Sequence, residues 1–371
     1  MVRPCKALLA LALWCACALP ASAGPYSALY VFGDSLSDVG NTSAATLGIE
    51  PGGGYFQGRF SNGPVYAERI AAGLGLGTLT RSGAGGTNYA FGGAETNGPG
   101  GFSGLFVDSL VEQIDDYLPA SPASDALFVA FIGANDLLNG QTNVATPLGV
   151  IQTQLQRLVD AGARNLLGIN LPPLGLTPSN LGNTALTNLS SAFNDGLSGV
   201  YDALESATPE LNLMRLDASE LFFELVDDPA AFGFTNTTQQ GIAVAGGTLE
   251  APGYLFWDGV HPTRETHELL ALVALRAVLP AGDFTRDGVV DANDYAEWST
   301  GFGSTFDASQ GGVLGNLAAD ANGDGRVDAA DYTVWRDAVG SLPVSVPEPT
   351  GAVLIALLLV CSSRSASRRS A

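Results

Sequence analysis

The sequence predicts a three-layer α/β domain built on a central parallel sheet, followed by a small all-α domain. Three observations carry this. Between residues 27 and 280, apolar strand-like runs alternate with amphipathic helix-like runs, the pattern of a parallel layered sheet. After Leu279-Pro280 that rhythm stops, and two Asp-rich copies of one short motif follow. At 371 residues the chain also exceeds the usual single-domain size. With 46% hydrophobic and 14% charged residues, there is enough apolar surface to exclude disorder throughout.

The first segment reads as an export signal. Arg3 and Lys6 precede the apolar run Ala7 to Leu19, and Ala21-Ser22-Ala23 supplies a small-residue cleavage site. Residues 1–23 are therefore expected to be a signal peptide, with the mature chain starting near Gly24. Lipidation at Cys15 or Cys17 is the poorer alternative, because Trp14 and Cys15 are ill-suited to the positions before a lipidated cysteine. Strands are expected at Ala28 to Phe32, Ala126 to Ile132, Asn165 to Asn170 and Leu211 to Leu216. Helices are expected at Val65 to Leu74, Phe106 to Leu118, Gly149 to Ala161, Asn188 to Ala207 and Arg264 to Leu279. The Gly-rich stretches Gly52 to Gly54 and Gly98 to Gly101 read as loops over the sheet edge, where sites usually lie. The expected domains are 24–280 and 281–340, followed by a Pro-rich linker over 341–350 and a hydrophobic tail over 351–371.

Charge and cysteine usage narrow the function. Against 16 Lys+Arg stand 37 Asp+Glu, a formal charge of −21, which argues against nucleic acid as a partner. All four cysteines (Cys5, Cys15, Cys17 and Cys361) lie in the end segments. A disulfide framework and a thiol nucleophile are thereby excluded from residues 24 to 360.

The first strand runs into Phe32-Gly33-Asp34-Ser35-Leu36-Ser37-Asp38-Val39-Gly40-Asn41. A serine at the carboxyl end of a strand exposes its hydroxyl at the sheet edge and aims its N–H into a crevice. Alone, Gly-Asp-Ser reads as a turn with a helix cap. A complementary element sits far downstream at Trp257-Asp258-Gly259-Val260-His261-Pro262. A serine needs a base at neutral pH, and imidazole suits that task. Asp258, three residues before His261, can meet the ring N–H within one tight loop and fix its tautomer. The second histidine, His267, falls within the last expected helix and reads as a surface residue.

Two further motifs could donate to an oxyanion. Asn88-Tyr89-Ala90-Phe91-Gly92-Gly93-Ala94 offers backbone N–H groups without side chains, and Gly133-Ala134-Asn135-Asp136 follows an apolar strand. Singly, the glycine pair is an ordinary turn and Asn135 an ordinary cap.

Together these four blocks, in this order, resemble the GDSL, or SGNH, family of serine ester hydrolases, over about residues 28 to 279. The resemblance implies a flavodoxin-like fold and an ester substrate, with no cofactor for catalysis. It implies Ser35 as nucleophile and first oxyanion donor, Gly93 as second donor, Asn135 as third, and Asp258 and His261 as the rest of a triad. Gly92 is the alternative to Gly93. The first block looks most like the lipase-like branch that includes plant members. The chain lacks the cysteines of those members around Gly233 to Val244, so the bracing of that loop is open. Substrate choice would rest on loops 50–62, 95–106 and 232–251. Their aromatics Tyr55, Phe56, Phe102, Phe106, Phe232 and Phe234 could line an acyl pocket or be lid packing.

The acidic motif runs Asp283-x-Thr285-x-Asp287-Gly288-x-Val290-Asp291-x-x-Asp294, and recurs as Asp320-x-Asn322-x-Asp324-Gly325-x-Val327-Asp328-x-x-Asp331. Oxygen side chains at positions 1, 3, 5, 9 and 12, with Gly at 6, match a Ca²⁺ loop of EF-hand spacing. The carbonyls of Val289 and Arg326 would be the position-7 ligands. Asp at position 12 and a following helix resemble the type I dockerin repeat, which implies a cohesin domain as partner. The tail, with Val346-Pro347-Glu348-Pro349, an apolar run from Gly351 to Cys361 and then Arg364, Arg368 and Arg369, resembles a PEP-CTERM sorting signal. That implies a secreted or cell-envelope protein, anchored at most transiently through a run shorter than a spanning helix prefers. Lipid esters and acetylated polysaccharide remain alternative substrates. A non-catalytic surface adhesion protein is the reading from another class.

Overall fold

A computed structural model describes residues 24–98, 106–118, 120–310 and 317–341. The expected signal peptide, Phe102 and the segment after 341 with its expected sorting motif lie outside them. In chain order the elements are β1 (Leu29–Gly33), α1 (Asn41–Ala45), α2 (Tyr66–Gly73), α3 (Leu110–Tyr117), β2 (Leu127–Phe131), α4 (Ala134–Leu138), α5 (Ala145–Asp160) and β3 (Asn165–Ile169). They continue with α6 (Thr184–Ala207), β4 (Asn212–Leu216), α7 (Ala218–Asp227), β5 (Asn236–Gln240), β6 (Tyr254–Phe256), α8 (Arg264–Val278), α9 (Ala292–Gly301) and α10 (Ala329–Ser341).

Strands β1 to β4 form one parallel sheet in the order β1-β2-β3-β4. β2, Leu-Phe-Val-Ala-Phe, is buried at every residue, as a central strand covered on both faces must be. The segment 87–91 lies along the free edge of β1. Val31 N–H donates to Thr87 O (3.1 Å), Tyr89 N–H to Val31 O (2.8 Å) and Phe91 N–H to Gly33 O (3.1 Å). Counting this segment, the spatial order is that of a flavodoxin-like sheet, whose switch point falls between β1 and β2. Ser35 leaves the end of one of these strands and Asn135 the end of the other.

Elements the sequence reading missed have local causes. α7 follows Asp217, whose side chain accepts the Glu220 N–H at 2.9 Å, a helix start the Asp-x-x-Glu spacing carried in plain view. α4 is a five-residue helix entered through Gly133 at φ +115°, too short to show periodicity. The expected helix from Phe106 begins instead at Leu110, where Ser109 and Glu112 close a capping box. The expected loop 232–251 contains β5, which pairs with β6 just beyond it as a small second sheet.

The repeat region builds α9 and α10, and the two copies interlock. Trp298 Nε1–H donates to Asp328 O and Trp335 Nε1–H to Asp291 O, each at 2.8 Å, so each tryptophan caps the other copy's loop. Phe284, Phe306, Ala308, Leu317, Ala319 and Val327 belong to the same buried cluster as the sheet's helices. This packing also answers how the 233–244 loop is braced without cysteines. Gly253 N–H donates to Ala308 O (3.0 Å), the Phe234 and Phe306 rings lie 6.5 Å apart, and a Cβ on Gly233 would strike Asp307 Oδ1. Arg276 of α8 reaches across as well, with Nη2 2.7 Å from Asp320 Oδ2 and Nε–H donating to Asp320 O at 2.5 Å.

Candidate active site

The turn after β1 is held from several sides. Gln113 of α3, fully buried, accepts the Gly33 N–H and donates to the Gly33 carbonyl, both at 2.9 Å. Two residues on, Ser35 is 6% exposed. Its Oγ lies 2.8 Å from His261 Nε2, and His261 Nδ1 lies 2.7 Å from Asp258 Oδ2. The β6–α8 loop achieves this because Asp258 Oδ1 accepts the N–H groups of Val260 (2.9 Å) and His261 (2.8 Å). The carboxylate thus shapes the loop that carries its own imidazole partner.

The segments that carry the three expected oxyanion donors are tied together by a shared frame. Asp38, fully buried, accepts from Gly40, Asn41, Thr42 and Gly92 N–H groups, tying the serine block to the glycine pair. Asn88 Nδ2 donates to Ser37 O (2.7 Å), and Asn135 Nδ2 to Ala94 O (2.9 Å). Gly92 N–H is spent on Asp38 and Thr42 Oγ1, whereas among the described residues neither Ser35 N–H nor Gly93 N–H meets an acceptor. Gly93 sits at φ +82°, a left-handed conformation that glycine adopts without strain. Of the glycine pair, only Gly93 is therefore free to donate.

The electrostatics are divided. Burial opposes ionisation of Asp258, but the His261 charge and the bonds from its ring, from Val260 N–H and from Tyr55 outweigh it and hold the carboxyl well below the usual range. Asp34, next to Ser35, is pushed up to about 7, chiefly by burial. Beside Ser35 a small cavity of about 30 Å³ is lined by Leu36, Leu138, Leu174, Phe222, Phe256 and Val260, among others.

Several expectations need correcting. His267 is not a surface residue: it is 1% exposed, wedged between α8 and α2, with Nδ1 accepting the Tyr66 N–H at 3.3 Å. α8 is buried on most sides, so its histidine faces the core. Phe232 and Phe234 are buried beneath the repeat region and line no acyl pocket. The cavity aromatics are instead Phe222 and Phe256. Within the expected substrate loop 50–62, the segment Arg59-Phe60-Ser61-Asn62 has a role the sequence reading did not assign: it cradles the histidine loop. The Phe60 ring lies 5.1 Å from that of His261, Ser61 Oγ–H donates to Pro262 O (2.9 Å), and Asn62 Oδ1 accepts the Arg264 N–H (2.7 Å). Ser61 and Asn62 are buried, a signal visible only in three dimensions.

A serine, an imidazole and a carboxylate chained by hydrogen bonds at the carboxyl edge of a parallel α/β sheet form the arrangement of a serine hydrolase. Residues 29–273 match the GDSL-like Lipase/Acylhydrolase family, and the chain belongs to it, as a carboxylic ester hydrolase. Residues 281–337 match the Dockerin type I domain. A GDSL esterase/lipase of Arabidopsis thaliana is 29% identical over 339 residues, covering 71% of this chain and 90% of its own. A phosphatidylcholine-sterol acyltransferase of Aeromonas hydrophila is 28% identical over 301 residues, covering 66% and 88%. The solved structure of a GDSL-like lipase from Parabacteroides merdae aligns with a TM-score of 0.43 at 16% identity, over 70% of this chain and 98% of its own.

In the dockerin loops, Gly288 and Gly325 hold φ values of +85° and +76°, as the bend at position 6 needs. Asp283 and Asp320 at position 1, and Asp294 and Asp331 at position 12, are buried and turned onto loop amides. Asp287, Asp291, Asp324 and Asp328 each accept one N–H two residues on, and Asn322 Oδ1 accepts the Asp324 N–H. Thr285 Oγ1–H donates to Asp294 Oδ1 at 3.0 Å. Among the described residues no three of these carboxylates converge on one point. The donor set is nonetheless all oxygen, around a left-handed glycine, and it fits a hard cation such as Ca²⁺.

Proposed function

We propose that this chain is an exported enzyme that cleaves short-acyl esters through Ser35, with the dockerin region as a calcium-dependent docking module. His261 takes the Ser35 proton as Oγ attacks the ester carbonyl. The oxyanion so formed takes hydrogen bonds from Ser35 N–H, Gly93 N–H and Asn135 Nδ2. Collapse breaks the bond to the alcohol oxygen, which receives the proton from His261. Water, deprotonated by the same imidazole, then attacks the acyl-enzyme, releases the acid and restores Ser35. Asp258 keeps the ring in the required tautomer throughout. The observation that carries this reading is the pair of bonds at 2.8 and 2.7 Å linking Ser35, His261 and Asp258.

The cavity beside Ser35 supports a short acyl group. Its enclosed part is small and walled by Leu138, Leu174, Phe222 and Phe256, and we take it as the seat of a short acyl group such as acetyl or propionyl. Such a pocket favours acetylated carbohydrate over long-chain lipid esters. In the docking module Asp283, Thr285, Asp287, Val289 O, Asp291 and Asp294 would hold one Ca²⁺, and Asp320, Asn322, Asp324, Arg326 O, Asp328 and Asp331 a second. Bound calcium would neutralise the clustered carboxylates and lock the loops. A cohesin domain is the proposed partner, and an extracellular or envelope location goes with it. The test is the rate profile over nitrophenyl esters: a maximum at acetate or propionate is expected, moving to longer chains in Leu138→Ala. A rate that rises steadily to octanoate in the unaltered protein would overturn the short-acyl reading.

A further inference from the structure

Asp258 has a fourth donor from a distant part of the chain. The Tyr55 hydroxyl donates to Asp258 Oδ2 at 2.7 Å, the same oxygen that takes His261 Nδ1–H. We infer that Tyr55 is a positioning residue for the hydrolytic reaction, acting through Asp258 rather than lining an acyl pocket. The inference rests on the proposed role of Ser35, His261 and Asp258.

The contact is built from both sides. Trp257, the residue before Asp258, donates Nε1–H to the carbonyl of Gly54, the residue before Tyr55, at 3.1 Å, so the two segments are registered against each other. The Tyr55 ring packs edge-on to Phe60 at 6.4 Å, and Phe60 in turn lies against His261. Burial and the neighbouring carboxylate push the phenol well above its usual range, so Tyr55 stays a neutral O–H donor wherever the enzyme works.

Two consequences follow from one shared oxygen. With Oδ1 on the loop amides and Oδ2 between phenol and imidazole, the carboxylate cannot rotate about its bond to Cβ without losing a partner. The second donor also draws charge from Oδ2, so Asp258 grips the imidazolium less tightly and its proton passes more readily to the leaving group. The other titratable groups facing the pair are Asp34 on the β1 turn, His267 on α8, and Glu50 on the Tyr55 loop itself. Tyr55→Phe leaves all three in place, so any change in pH behaviour belongs to the lost hydroxyl.

The experiment compares the full chain with its Tyr55→Phe variant on nitrophenyl acetate. Expected are a fall in kcat of about 10- to 100-fold at unchanged KM, and an acid limb of the kcat/KM profile displaced to higher pH. The His261 Nδ1 proton resonance, read by NMR without substrate, should also move. An unchanged kcat, acid limb and resonance, or a change confined to KM, would overturn the inference. Should the unaltered protein itself hydrolyse nothing, the underlying reading of Ser35 fails instead.

Discussion

Replacing Asn135 by alanine separates two contributions of one side chain. Its Nδ2 spends one N–H on Ala94 O at 2.9 Å, and the other is the one assigned to the oxyanion in the proposed mechanism. Losing the first bond, at a half-buried site, costs about 1 kcal/mol of stability. Losing the second removes a donor that acts only in the transition state, worth about 2.7–4 kcal/mol, or roughly 10²- to 10³-fold in kcat. The asymmetry decides the outcome: the variant should melt within a few degrees of the original yet turn over hundreds of times more slowly, with KM little changed. Asn135→Asp should be worse, because it sets a carboxylate against the developing negative charge. Initial rates on nitrophenyl acetate, with calorimetric melting as control, provide the assay. A kcat for Asn135→Ala within tenfold of the unaltered enzyme, at equal stability, would refute the donor role.

Two further outcomes follow from burial and packing. Because the dockerin core is continuous with the hydrolase core and Arg276 bridges to Asp320, stripping Ca²⁺ with a chelator should lower the melting temperature of the whole chain in one transition. Calcium at a hundred times its Kd should restore about 2.7 kcal/mol for each of the two sites, roughly 5.4 kcal/mol together, and calorimetry showing two separate transitions with the hydrolase unmoved would contradict the coupling. His267 is pushed down to about 3, first by burial and then by His261 and Arg69. The unfolded chain therefore takes up a proton near pH 6.5 that the native state refuses, and stability present above that pH is lost as pH falls toward 3. In urea titrations the balance between His267→Gln and the original should shift toward the variant by about 2 kcal/mol or more between pH 7 and pH 4, and a pH-independent difference would contradict this.

The parallel sheet was legible in the sequence because its strands are short apolar runs that alternate with amphipathic helical ones between residues 27 and 280. Leu127–Phe131 is the clearest case, bounded by Ala126 and by the Gly133 turn. The blocks around Ser35, Asn135 and His261 were legible for a related reason: each is a local motif at the end of a predicted element. Contacts over long sequence separations were not. That Tyr55 would meet Asp258 across 203 residues, or that Phe234 would turn toward Phe306 and away from substrate, depends on how loops settle on a finished core. His267 shows the converse limit. A polar residue in an amphipathic helix reads as exposed, but α8 is enclosed on nearly every side, and burial depends on its neighbours as much as on its own pattern.

Covalent capture of Ser35 tests the hydrolytic mechanism most directly. Incubation with a fluorophosphonate followed by peptide mass analysis should find one adduct, on Ser35. Ser35→Ala should take no label and hydrolyse no ester while melting as the original does. A folded protein that leaves Ser35 unlabelled, or a Ser35→Ala variant within tenfold of full activity, would contradict it.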